Sequence, residues 1–69
     1  MMSNEELMNI LNWLKSEGVS YKYLAKQSDI SYDTFYYYRR CKQFPLLERK
    51  KVEKAIIENF GEVLDEYRK

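Results

Sequence analysis

A chain of 69 residues, 45% hydrophobic and 33% charged, is sized for one small domain and is apolar enough to bury a core. One cysteine and no histidine exclude an internal disulfide, a zinc finger and a His-based active site. No apolar run approaches the roughly 20 residues that cross a bilayer, and no basic-then-apolar leader opens the chain. The expectation is a cytoplasmic protein that does not contact a membrane.

Ser3 and Glu6 have the spacing of a capping box. Leu7, Ile10, Leu11 and Leu14 follow at i, i+3, i+4 and i+7, one apolar stripe of an amphipathic helix. Gly18 suits the left-handed residue that ends such a helix, so the first helix is predicted over 4–17, with Trp13 at the edge of its stripe. Val19 reads as a hydrophobic staple ahead of a Ser20 cap. A second helix is predicted over 21–27, burying Leu24 and Ala25. Residues 28–31 carry turn chemistry, in which Asp29 tolerates a left-handed backbone and Ser31 caps the next helix.

The third helix is predicted over 32–40, with Phe35 and Tyr38 inward. Phe44-Pro45 forbids its continuation, and Pro45 suits the first position of a fourth helix over 46–59. Leu47, Val52, Ala55, Ile56 and Phe60 are expected to face the core from there. Gly61 marks a break before a short fifth helix over 62–67 carrying Val63, Leu64 and Tyr67. With no strand pattern, repeat or linker, residues 1–69 read as one all-α domain, a compact bundle of four to five helices.

The net charge is only +1, but its distribution is uneven. Residues 1–20 carry −2 and residues 55–69 carry −2, whereas residues 21–54 set nine basic side chains against four acidic ones, a net +5. A basic middle between acidic ends draws in a polyanion while the whole stays near neutral. Helix-rich surfaces of mixed charge also arise with no such role.

Leu24 and Ala25, Ile30 just past the turn, Phe35 and Tyr38, and the Pro45-led helix together resemble the phage-repressor (Xre/Cro-type) helix-turn-helix DNA-binding domain. The likeness covers nearly the whole chain. The family usually has glycine at the position of Asp29 and an apolar residue at that of Ser28. Ala25 is small enough to let the next helix cross closely. The resemblance implies that helix 32–40 enters a major groove. Ser31, Tyr32, Asp33, Tyr36, Tyr37 and Arg40 then match positions that face base edges or flanking phosphates, and Arg39 adds charge beside Arg40. Tyr21 and Lys22 at the start of the preceding helix, and Lys42 and Gln43 after the motif, match further phosphate contacts. The implied protein is a repressor or Cro-like regulator of a phage or mobile element, acting on double-stranded DNA as a homodimer with recognition helices ~34 Å apart. Val63, Leu64 and Tyr67 are the expected dimer surface, unless they complete the monomer core.

No enzyme is expected, since only Cys41 offers a nucleophile and no general base accompanies it. No cofactor or metal is implied. The alternative is a protein-binding module on the same fold, such as a small phage inhibitor of a host defence complex. Clustered tyrosines are common at protein interfaces, and the acidic Asp33 favours that partner, whereas Arg39 and Arg40 favour DNA.

Overall fold

The computed structural model describes residues 2–68, and among them the chain forms α1 (Asn4–Ser16), α2 (Tyr21–Gln27), α3 (Tyr32–Cys41) and α4 (Leu46–Arg68), with no strand. Each of the first three helices opens on a serine that accepts an amide N–H three residues on: Ser3 from Glu6, Ser20 from Tyr23 and Ser31 from Thr34. Each also closes on a left-handed residue. Gly18, Asp29 and Lys42 have φ of 95°, 57° and 58°. The next N–H then reaches back five residues, from Val19 to Leu14, Ile30 to Ala25 and Gln43 to Tyr38. That geometry satisfies carbonyls the helix end would otherwise leave open.

One core joins the helices. Leu7, Met8, Ile10, Leu11 and Leu14 from α1 meet Leu24 and Ala25 from α2, Phe35 from α3, and Val52 and Ile56 from α4. Met2 and Phe44 also enter it, from the chain start and the α3–α4 loop. Phe35 packs edge-on against Phe44 at 5.3 Å, and Tyr38 lies 5.6 Å from the same ring. The Phe44 N–H donates to Asn4 Oδ1 at 2.9 Å, which ties this loop to the start of α1. Ser28, where an apolar residue was the family expectation, is buried and returns its hydroxyl to the Leu24 carbonyl at 2.6 Å. A buried hydroxyl satisfied in this way carries little penalty.

Four expectations are corrected. Pro45 precedes α4 and accepts the Arg49 N–H through its carbonyl, at 2.8 Å, so it caps the helix instead of beginning it. Leu47 is 62% exposed. It precedes Val52 by five residues, well off the face that Val52 and Ile56 share. α4 does divide into two helical stretches across a kink, as expected, but the irregular residue is Phe60 (φ −134°, ψ 21°), one position before Gly61. Along a straight helix Leu64 would be turned about 120° away from Val52. The break at Phe60 re-aims the last turns, and Leu64 is only 3% exposed. Leu64 therefore completes the monomer core and cannot serve a dimer surface, while Tyr67 stacks on Trp13 at 4.8 Å. Val63 alone of the three expected dimer residues stands clear, without a core contact.

Lysine at φ 58° is strained where glycine is not, by about 1 kcal/mol. Lys42→Gly is expected to raise stability by about 0.5–1 kcal/mol in urea unfolding. Phe35→Ala is expected to remove about 3–5 kcal/mol, and Leu47→Ala less than about 0.5 kcal/mol.

Candidate functional site

Burial of Phe35 sets the rotation of α3, because the residues sharing its side of the helix must turn inward with it. Tyr38, three residues on, is half-buried against Phe44. Arg39, four residues on, is also half-buried. Asp33, Tyr37 and Arg40 lie on the opposite side, Tyr36 lies beside them, and Tyr32 sits at the open head of the helix; all five are exposed. Tyr37 is the most open of its tyrosines at 60%, and Tyr32 and Tyr36 pair at a ring separation of 6.1 Å. Ser31 is exposed at the head of α3, but its hydroxyl is engaged with the amide and hydroxyl of Thr34.

Two residues expected on the outer surface are turned inward. Arg39 donates from Nη2 to Asn12 Oδ1 at 2.6 Å and from Nε to the Tyr21 hydroxyl at 3.1 Å. The Tyr21 ring lies beneath the Arg39 guanidinium at 5.5 Å and the Lys15 ammonium at 5.0 Å, and it approaches Phe35 at 6.0 Å. A short polar brace thus joins α1, α2 and α3. The reason is periodicity: Tyr21 precedes Leu24 and Ala25 by three and four residues, and Arg39 follows Phe35 by four. The same spacing was available in the sequence to place Arg39 inside. Asn12, the shared acceptor, had no comparable signal, since it flanks the apolar stripe of α1 as an ordinary polar residue.

The other basic candidates bracket α3. Lys22 lines an open groove with Ser20, Tyr23, Lys26, Ile30 and Tyr32, between α2 and the head of α3. Lys42 lies at the far end of α3, in a depression shared with Glu5, Met8, Asn9 and Asn12 of α1. Gln43 and Cys41 are exposed beside it. Together these positions give α3 an amphipathic aromatic surface with one outward arginine, Arg40, and a lysine toward either end. Such a surface can stack, donate from phenolic hydroxyls and contact anions. Among the described residues, no group of His, Cys, Asp and Glu side chains is arranged to hold a metal, and no helix is long and apolar enough to cross a membrane.

Comparison of the chain with protein-family models, curated proteins and solved structures gave no match.

The two arginines of α3 should separate by their settings. Arg39→Ala is expected to cost about 1–2 kcal/mol in urea unfolding, through the lost brace. Arg40→Ala is expected to change stability by less than about 0.5 kcal/mol.

Proposed function

We propose that this chain is a small sequence-specific DNA-binding regulator of the repressor or Cro-like kind, with α3 as the helix that enters the major groove. The observation that carries this reading is the outer side of α3: Tyr32, Asp33, Tyr36, Tyr37 and Arg40 are uncovered by the chain's own helices. Several further features support it. The α2–α3 connection is short, with a left-handed Asp29 and a buried Ala25 where the helices approach. The basic segment of the chain is the one that carries this pair.

Each outward residue has a chemical role in the proposed complex. Arg40 offers a two-pronged donor to guanine O6 and N7, a contact that discriminates by about 1–3 kcal/mol. The tyrosine hydroxyls donate to phosphate oxygens, and their rings meet thymine methyls. Asp33 accepts from a cytosine amino group. Lys22 and Lys42, toward either end of α3, neutralise phosphates and add affinity without sequence information. Arg39 and Tyr21 hold α3 against α1 and α2, so their part is to position the reading surface.

A protein partner is the second reading. It is favoured by the three exposed tyrosines and Asp33 on a face left with a single outward arginine, Arg40, once Arg39 is engaged.

Titrating salt against binding to random duplex DNA separates the two. With Lys22 and Lys42 as phosphate contacts, log affinity is expected to fall with log salt at a slope of about −2 per module. Lys22→Ala should weaken all sequences alike and reduce that slope by about 1, whereas Arg40→Ala should relax preference at one base pair. Absence of binding at low salt would overturn the DNA reading and leave the protein partner.

A further inference from the structure

The side of α4 turned away from the core carries a stripe of four side chains, apolar at its two ends and charged between them. Leu46 is 52% exposed and Ile57 is 51% exposed, one at each end of the stripe. Between them stand Lys50, exposed, and Glu53, half-buried. These four positions are separated by four, three and four residues, the spacing of a coiled-coil seam. Lys50, Glu53 and Ile57 also line one shallow groove with Lys54 and Glu58. Val52, Ala55 and Ile56 occupy the opposite, buried side, so this stripe is not part of the core.

The order along the stripe is apolar, positive, negative, apolar. Charge then decides what can cover it. Two copies of α4 laid antiparallel about a twofold axis between residues 51 and 52 bring Leu46 against Ile57 of the second copy, and Lys50 against Glu53 of the second copy. Each contact occurs twice, as a twofold interface requires. A parallel pairing would instead set Lys50 against Lys50 and Glu53 against Glu53. Lys54 is engaged along its own helix with Glu58 at 3.8 Å, which reduces its repulsion at the edge of the seam. Glu53 Oε1 accepts the Met2 N–H at 3.1 Å, and this holds the carboxylate in place.

We infer that the chain self-associates as a weak antiparallel dimer through this face of α4, with Leu46, Lys50, Glu53 and Ile57 as the seam. Three helical turns bury less than the roughly 800 Å² per partner of a standard stable interface. Association is therefore expected at protein concentrations between about 10 µM and about 1 mM. The inference does not depend on DNA, and its test is made without DNA.

Sedimentation equilibrium of the full chain is the experiment, with far-UV circular dichroism to check each variant's fold. The unmodified chain should show a monomer–dimer equilibrium. Lys50→Glu alone and Glu53→Lys alone should each weaken it at least tenfold, because each sets like charges together twice. An equal mixture of the two variants should recover dimer mass, since the mixed pair restores both attractions. Ile57→Asp, at an exposed position, should also dissociate the dimer. Lys26→Glu, the same charge change on α2, should leave association as it was. A chain that stays monomeric to about 1 mM, single reversals that still dimerise, or folded variants whose mixture fails to recover would each overturn the inference.

Discussion

The fully buried ring of Phe35 is the constraint on which the arrangement of this protein rests. A ten-residue helix has too little length to define its own orientation, so what it buries decides what it shows. Phe35 sits between α1, α2 and the α3–α4 loop in a single core, with Phe44 edge-on beside it. Rotation of α3 by even a quarter turn would pull that ring out of the core and lose several kcal/mol, of the order of deleting the side chain. Asp33, Tyr36, Tyr37 and Arg40 are exposed as a consequence of where Phe35 is placed, and Tyr32 is exposed beside Tyr36 at the head of the helix.

Polar chemistry reinforces the same setting. Arg39, Tyr21 and Asn12 close a brace across three helices, in which one acceptor oxygen receives the guanidinium and the Tyr21 ring lies under two cations. Its individual bonds are partly exposed and each is worth little on its own. Their common effect is directional, because they resist the rotation and sliding of α3 that hydrophobic contact alone would permit. The brace also divides the charge of the helix: Arg39 is used internally and Arg40 faces out. A surface with one outward arginine and three tyrosines depends more on shape and hydroxyl geometry than on charge density. The proposed regulator would accordingly need its flanking lysines, and a second copy, to hold DNA firmly.

Much of this organisation was legible in the sequence because it is local. The serine caps, Gly18 and Asp29 state helix starts and stops within a few residues of each signal, and the stripe of α1 is periodic over three turns. Lys42 could not be read as a left-handed terminus, since nothing about lysine favours that conformation; the entry of Phe44 and the start of α4 impose it. Leu64 and the break at Phe60 were obscured for a related reason. Gly61 is the weaker helix former, but the distortion falls where Phe60 meets Tyr23 edge-on at 6.3 Å and Asn59 accepts from the Tyr23 hydroxyl at 3.3 Å, a tertiary contact. The inward turn of Arg39 was present in its spacing from Phe35, though a basic residue beside Arg40 reads first as surface charge. Which side of α3 stands free was thus recoverable from one aromatic residue. What that side binds depends on chemistry outside the chain.

The most direct measurement is the map of backbone amide shifts in ¹⁵N-labelled protein as short duplex DNA is added at low salt. If α3 reads DNA, the largest changes fall on Tyr32, Asp33, Tyr36, Tyr37 and Arg40 and on nearby Lys22, while Val63 and Tyr67 in the last turns of α4 stay still. Shifts confined to α4 or spread evenly over the surface, with the outer side of α3 unmoved, would contradict it.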